Sequence, residues 1–396
     1  MSSFGELTAL RVEQTGPSGG EEFVYVDISS IDNQAKRIVD PKRLSPEAAP
    51  SRARQRLRKG DVLVSMTRPN LNAVAIVPPD LDGAIGSTGF HVLRANDDVE
   101  PHWLYYAVQS SSFVKSMCDL VQGALYPAVR PKDIREYAIS PPPLAKQREI
   151  VAELEKQFSR LDEAVANLQR VKANLKRYRA SVLNDAVEGR LVECDSPVEL
   201  VKLGSVANLI DPQPSHRTPP THPDGVPYIG IGDVLENGKL DFQNSRKVSP
   251  TVLEEHRARY TLSVGDFIFG KIGTLGRPTL LTPPFAYTLS ANVVLVQADG
   301  VRLLPEYALI FMDSPKLLNM ISRDAKATTQ AAYGIKRMRD LEINIPDIEQ
   351  QRKIVAEVDR HLSIIREVET EVDANLQRAQ ALRQAVLSRA FLEGVK

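Results

Sequence analysis

Five cations crowd eight residues near the start of the chain: Arg52, Arg54, Arg56, Arg58 and Lys59. Positive charge at that density suits phosphate oxygens, and it equally suits a solvated helix face. A second kind of candidate is polar and set among glycine or proline. Arg68 and Asn70 lie in residues 65–70, and Lys271, Thr274 and Arg277 lie in residues 271–277. A third pair of segments repeats this character, with Tyr126 and Arg130 in residues 123–130 and Gln330, Tyr333 and Lys336 in residues 328–336. Arg and Lys can reach guanine O6 and N7, while Asn and Gln can read adenine. Glycine lets a backbone approach a ligand closely, so Lys271 and Arg277 are expected to make contacts. Each segment also reads as an ordinary turn. A further basic stretch is Arg170, Lys172, Lys176, Arg177 and Arg179.

No constellation for catalysis accompanies these residues. Gly230-Ile231-Gly232-Asp233-Val234-Leu235 begins like a dinucleotide fingerprint but has Leu235 where a third glycine belongs, so it reads as a strand end. Thr282-Pro283-Pro284-Phe285 resembles an amino-methyltransferase motif but opens with Thr and has no glycine-rich companion, so it reads as a turn. Pro346-Asp347-Ile348-Glu349 lacks the second acid and lysine of a nuclease site and is explained as a helix start. The six histidines include no i, i+4 pair, and His216 and His222 share a loop without companion acids.

Composition narrows the class. With 396 residues, 42% of them hydrophobic, the chain has room for two to four domains with real cores. Lys plus Arg and Asp plus Glu both total 50, so any polyanion must be held by a local patch rather than a global field. Residues 1–140 alone carry sixteen basic and seventeen acidic side chains. Two separated cysteines, Cys118 and Cys194, suit a reducing, cytoplasmic setting. Residues 1–10 carry Glu6 and no apolar run, so no signal peptide is expected. No apolar run is long enough to suggest a membrane span.

The elements that must position the candidates come in duplicate. Gln147-Arg148-Glu149-Ile150-Val151-Ala152-Glu153-Leu154 lies over Gln351-Arg352-Lys353-Ile354-Val355-Ala356-Glu357-Val358 at a spacing of 204. The same spacing pairs Pro142 with Pro346, Val182-Leu183 with Val386-Leu387, and Ala186 with Ala390. Upstream, Tyr25 matches Tyr228 and Gly60-Asp61 matches Gly265-Asp266. A period this long is a duplicated domain rather than a solenoid. Each repeated segment reads as a long helix with a heptad seam. The first seam is Val151, Leu154, Phe158, Leu161, Val165 and Leu168; the second is Val355, Val358, Leu362, Ile365, Val372 and Leu376. Residues 141–143 and Pro346 with Asp347 mark the starts, and Gly189 and Gly394 the stops. Two such copies can pair antiparallel about a pseudo-two-fold axis, which would bury Leu154, Phe158, Leu161, Leu362 and Ile365. The pattern also suits a simple helical hairpin or dimerisation arm.

The segments between the helices look α+β, with short strands separated by turn residues and one helix in each half, over 101–117 and 304–321. The boundaries read as 1–140 and 196–345 for two globular domains, and 141–190 and 346–392 for the long helices. The first half shows no counterpart of the Val201-Lys202-Leu203-Gly204-Ser205-Val206 lead-in. Residues 211–224, rich in Pro and carrying two His, read as a contact loop or a connector.

Pro142-Pro143-Leu144-Ala145-Lys146-Gln147-Arg148-Glu149-Ile150-Val151 and Ile345-Pro346-Asp347-Ile348-Glu349-Gln350-Gln351-Arg352-Lys353-Ile354-Val355 resemble the helix-start motif of specificity subunits of type I restriction–modification enzymes. Ser87-Thr88-Gly89-Phe90 and Gly265-Asp266 look like recurrent features of that family's target recognition domains. The resemblance covers nearly the whole chain. It implies an α+β protein with internal pseudo-two-fold duplication, in which two target recognition domains are joined by two long antiparallel helices forming a coiled coil. Each domain would read one half of a split site in double-stranded DNA, with the helices as a ruler. The subunit would carry no cofactor or metal and no chemistry of its own. Two methyltransferase (modification) subunits would bind S-adenosylmethionine, and restriction/translocase subunits would use ATP and Mg. A non-enzymatic coiled-coil adaptor with duplicated protein-binding domains is the alternative, and a stand-alone enzyme a weaker one.

Overall fold

A computed structural model describes residues 1–17, 21–123, 125–193, 197–215, 217–325 and 332–392. Ala124, Cys194, His216, residues 328–331 (Gln330 among them) and Gly394 lie outside the described residues. The chain divides into two compact units, one of Met1–Gln169 with Asp373–Lys396 and one of Arg170–Val372. Among the described residues no helix is long and apolar enough to cross a membrane.

Each unit repeats one sheet plan. In the first, strand Phe23–Val26 lies parallel to Ile85–Ser87 and antiparallel to Lys42–Leu44. In the second, strand Val226–Ile229 lies parallel to Thr288–Leu289 and antiparallel to Arg246–Val248. The registers agree: Tyr25 faces Ile85 and Tyr228 faces Thr288. A second sheet in each unit centres on a fully buried strand, Val62–Ser65 or Phe267–Gly270, flanked on both sides by antiparallel neighbours. Their continuous apolar runs follow from burial on both faces.

The Gly-Asp pairs make the turn into these central strands. Gly60 and Gly265 have φ of 83° and 96°, a region where a Cβ is strained. Asp61 Oδ2 accepts from the Arg58 N–H at 2.8 Å, and Asp266 Oδ2 from the Ser263 N–H at 2.7 Å. Turn chemistry therefore explains this recurrent pair without a binding role.

Two expectations change. The first half does have the lead-in. Ser2–Ser3 pairs with Ala138–Ile139 as Glu199–Lys202 pairs with Glu342–Ile345. The Phe4 N–H donates to Tyr137 O as the Leu203 N–H donates to Leu341 O. Phe4-Gly5-Glu6-Leu7 thus occupies the place of Leu203-Gly204-Ser205-Val206; sequence similarity is hidden because only the small glycine and the apolar positions are retained. Also, the single helix expected in each half is two: Pro101–Ala107 and Ser111–Asp119, then Pro305–Asp313 and Pro315–Ala325. Ser110 caps one break by accepting from the Phe113 N–H, and Pro315 starts the helix after the other.

The long helices span Leu144–Val187 and Ile348–Leu392, each of them roughly 66 Å long at 1.5 Å per residue. Asp347 Oδ1 caps the second by accepting from the Gln350 N–H at 2.8 Å. Gly189, with φ of 71°, ends the first. Within each unit the helices run antiparallel. In the first unit Arg383 donates to Asp162 at 2.7 Å and lies over the Phe158 ring. In the second, Tyr178 Oη meets His361 Nδ1 at 2.8 Å, while Val182 and Ala186 share a core with Ile354 and Val358.

The seam is broader and less regular than a heptad. Val151, Leu154, Phe158, Val358, Ile365 and Val372 are buried, whereas Leu161, Val165, Leu168, Val355, Leu362 and Leu376 are half-buried. Leu161 and Leu362 therefore depart from the expected full burial. Near the globular parts a helix faces a wide surface, not one partner helix, so its apolar stripe follows a 3.6-residue period. That is why Ile354, at 2% exposure, is buried beside half-buried Val355, and why Phe158 packs on Tyr106 at 5.5 Å between ring centroids.

The repeated glutamine carries the join. Gln147 Oε1 accepts from the Glu100 N–H at 2.9 Å, and its Nε2 donates to Pro142 O at 2.8 Å. Gln351 Oε1 accepts from the Leu304 N–H at 2.8 Å, and its Nε2 donates to Arg302 O and Pro346 O at 2.7 and 2.8 Å. Both side chains are at most 1% exposed. Each holds the first turn of a long helix against the start of a short helix in its own domain. Replacing Gln147 or Gln351 with Ala strands these backbone groups away from water. Each substitution should cost about 1–3 kcal/mol, read as a lowered denaturant midpoint.

Candidate nucleic-acid interface

In the first unit, the chain leaving strand Val62–Ser65 forms a rigid lip. Arg68 and Asn72 both hold left-handed backbone, with φ of 51° and 44°, around the single turn Pro69–Leu71. Non-glycine residues hold that conformation only when their surroundings enforce it. The enforcement is visible: Arg68 N–H donates to Pro127 O at 2.8 Å, Val129 N–H to Met66 O at 2.8 Å, and Lys36 Nζ to Asn72 O at 2.6 Å. Burial pulls the Lys36 ammonium down to about 8, with the Arg383 charge adding to it. Opposite the lip, Leu125 and Tyr126 are 88% and 86% exposed. Between the two lies a groove of about 580 Å³ lined by Ser29, Asn33, Thr67, Arg68, Leu125 and Tyr126 among others. Arg68 and Tyr126 are thus brought together, and exposed Asn70 sits on the lip.

The cation run is no helix: its middle is a strand, and Arg52 and Lys59 fall in the turns at its two ends. Ala53–Arg56 is an edge strand, and Arg52, Arg54, Arg56 and Arg58 are exposed while Ala53, Gln55 and Leu57 are buried. The period of two places the four arginines on one face. Lys59 follows, also exposed. Arg56 lies 3.7 Å from Glu13, and Arg54 Nε donates to Ser51 O at 3.1 Å. Exposed Arg130 is held by Asp133, with Nη2 to Oδ1 at 2.9 Å. On the first long helix Arg179 donates to Asp313 at 2.8 Å.

The second unit corrects the reading of its own loop. Tyr333 N–H donates to Lys271 O at 2.9 Å, which repeats the Val129 to Met66 bond. Lys271 and Tyr333 therefore stand at core positions and are 3% and 4% exposed. Lys271 Nζ meets Asp211 Oδ2 at 2.7 Å inside the fold, so it is not a surface contact. Glycine neighbours signal backbone freedom, not exposure, which is why the sequence misled. Arg277 is exposed, but its Nη2 donates to Val234 O and Leu235 O at 3.0 and 3.1 Å. It acts as a brace between its strand and a hairpin. Thr274 and Lys336 are exposed, and Gln330 is outside the described residues.

Residues 211–213 are pinned rather than loose. Besides the Asp211–Lys271 pair, Gln213 Oε1 meets His256 Nε2 at 2.6 Å, and Arg259 donates to Pro212 O at 2.9 Å. His256 is 1% exposed and also bonds Thr288 Oγ1 and Tyr260 Oη through Nδ1. Burial lowers its pKa to about 4, and nearby Arg259 pushes the same way. Sequence reading missed His256, Lys36 and Gln213, none of which belongs to a motif. It also missed a recurrence that was open to it, Lys42-Arg43 against Arg246-Lys247 at the spacing of 204. Among the described residues no group of three or more His, Cys, Asp or Glu side chains could hold a metal ion.

The family described as type I restriction modification DNA specificity domain matches residues 19–176 and again 195–378. The Escherichia coli K12 EcoKI specificity subunit is 26% identical over 312 residues, covering 76% of this chain and 67% of that one. The EcoBI specificity subunit of Escherichia coli is 23% identical over 270 residues; the match covers 63% of this chain and spans only 56% of that relative's length. The HsdS subunit from Thermoanaerobacter tengcongensis is similar over 98% of this chain and 95% of its own, with 27% identity and a TM-score of 0.58. A chain solved for complex assembly and conformational transition of the type I R-M system is also 27% identical. It reaches a TM-score of 0.79 over 98% of this chain and 96% of its own.

Two outcomes follow from the pinned segment. Lys271→Ala leaves Asp211 facing the interior; it should cost about 1–3 kcal/mol, less than the 3–5 of a fully buried pair because Asp211 keeps some water. For His256, the folded value near 4 lies below the unfolded value near 6.5. The unfolded chain therefore binds the proton more tightly. This contribution to stability is complete above about pH 6.5 and is lost as pH falls toward 4. Melting temperature should drop over that window, and His256→Gln should drop less steeply.

Proposed function

Because this chain belongs to the type I restriction modification DNA specificity family, we propose that it is the non-catalytic, DNA-reading subunit of a type I restriction–modification complex. Each globular domain reads one half of a split site in double-stranded DNA. The long helices, anchored to each domain by a buried glutamine, set the number of unread base pairs between the halves. The carrying observation is the double family match laid over two copies of one fold that differ at their lips. Arg68, Asn70 and Tyr126 line or flank the first groove, where guanidinium and amide groups can meet base edges. The arginine face of strand Ala53–Arg56 supplies phosphate attraction. Two methyltransferase subunits would dock on the chain, bind S-adenosylmethionine and flip the target adenine. Restriction subunits using ATP and Mg would join for cleavage.

The test is domain exchange followed by random-sequence DNA selection on the assembled complex. Replacing residues 1–140 with those of another family member should change one half-site and leave the other and the spacer intact. A change in both halves would defeat independent reading. Arg68→Ala should cost about 1–3 kcal/mol at one base position if it reads guanine. Inserting four residues in both helices adds roughly 6 Å of rise and should lengthen the preferred spacer by one or two base pairs. Selection of no sequence at all would favour the adaptor reading.

A further inference from the structure

The two domains share cations at matching structural positions while sharing almost nothing at their lips. In the first domain a hairpin pairs Ile31 with Ile38, and its left-handed turn residue Lys36 (φ 54°) is followed by Arg37. In the second the hairpin bridges Val234 and Leu240, and its left-handed Gly238 (φ 77°) is followed by Lys239. The next strand in each is a sheet edge. It carries Arg43 in register with Val24, and Lys247 in register with Pro227. All four cations are exposed. Among the described residues Arg43, Lys239 and Lys247 have no ion-pair partner, whereas neighbouring Lys42 is taken by Asp27 at 2.7 Å.

In both domains this element is tied to the lip. Lys36 Nζ donates to Leu71 O and Asn72 O on the first lip, and Lys42 Nζ reaches Ser29, which lines the groove. In the second domain the brace runs the other way, from Arg277 to the hairpin carbonyls of Val234 and Leu235. The lips themselves diverge: Met66-Thr67-Arg68 stands where the second domain has Lys271-Ile272-Gly273.

Resting on the proposed reading of DNA, we infer that Arg37 and Arg43 in the first domain, and Lys239 and Lys247 in the second, are matched backbone anchors that grip DNA phosphates beside each reading groove. Domains that read different sequences must differ where bases are read. What they retain must be blind to sequence, and phosphate is the part of DNA that is. The residue types agree. Arg in one copy is Lys in the other at both positions, so charge is kept and fork geometry is not. A guanine contact exploits the two-pronged guanidinium, while a phosphate accepts either cation as a point charge. With no net charge on the chain, such local anchors are what hold the polyanion.

The experiment uses the full chain assembled with its methyltransferase subunits. Affinity is measured by fluorescence anisotropy across a KCl series, on the selected bipartite duplex and on a shuffled duplex of equal length. The double variants R37Q/R43Q and K239Q/K247Q should each weaken both duplexes by the same factor. The slope of log affinity against log salt should flatten by about 0.9 per lost contact. The charge-preserving R37K/R43K and K239R/K247R should retain wild-type slope. An unchanged slope in the glutamine variants, with wild-type binding intact, overturns the anchors alone. So does a loss confined to the selected duplex with altered half-site preference, which would make these residues base readers. Absence of salt-dependent binding by the wild-type complex on either duplex overturns both this inference and the function it rests on.

Discussion

A buried amide with three backbone partners is the constraint on which each half of this protein depends. Gln147 and Gln351 sit at the first turn of a long helix, where four N–H groups and the preceding loop carbonyls lack helical partners. Each side chain reaches across to the residue before Pro101 or Pro305, and back to the proline before its own helix. In a dry interior an amide that lost those partners would be costly, so the geometry has one low-energy arrangement. A helix and a domain joined in that way move as one body. Positional information in the domain is thereby transferred to the helix without relying on hydrophobic contact, which is non-directional.

Around that join, duplication separates what is general from what is particular. Sheet registers, the Gly-Asp turns and the glutamine recur in both halves. The first half adds an arginine-faced edge strand; at the same spacing before Gly265-Asp266 the second half has no strand, and residues 258–261 simply follow the helix Pro250–Arg257. The lip and hairpin are tied together in both, yet the donor changes side: a lysine of the hairpin in one, an arginine of the lip strand in the other. A cation capping loop carbonyls performs the same task from either direction. The lip is held rigid by hydrogen bonds to backbone, so its exposed side chains are free to differ between the halves. A rigid lip with variable side chains is what selective reading of a ligand requires, because ordering a loose loop would consume binding energy.

Charge is distributed in the same spirit. Equal numbers of acidic and basic residues leave the chain without long-range attraction as a whole. Local faces then decide orientation as well as attraction. The buried cations serve the fold instead. Lys271 neutralises Asp211 inside, and Lys36 spends its ammonium on two carbonyls while burial draws its pKa down to about 8. His256 stays neutral for the same reason and ties Gln213 to the core.

The sequence alone determined the duplication, the two long helices, the α+β character of the halves and the family, because each rests on spacing or on a local motif. Heptad spacing identified Leu154, Phe158, Val358 and Ile365, since helix periodicity is a property of neighbours along the chain. Tertiary structure decided which side chains face outward. Lys271 and Tyr333 read as contacts and are buried, because glycine flanks report backbone freedom and not the side of a strand. Arg52 to Arg58 gained meaning only as a strand, where alternate residues share a face; as a helix the same cations would have scattered around it. The equivalence of Phe4–Leu7 with residues 203–206 was illegible for a related reason. It is carried by hydrogen bonds to Tyr137 and Leu341, and backbone pairing leaves little trace in side-chain identity.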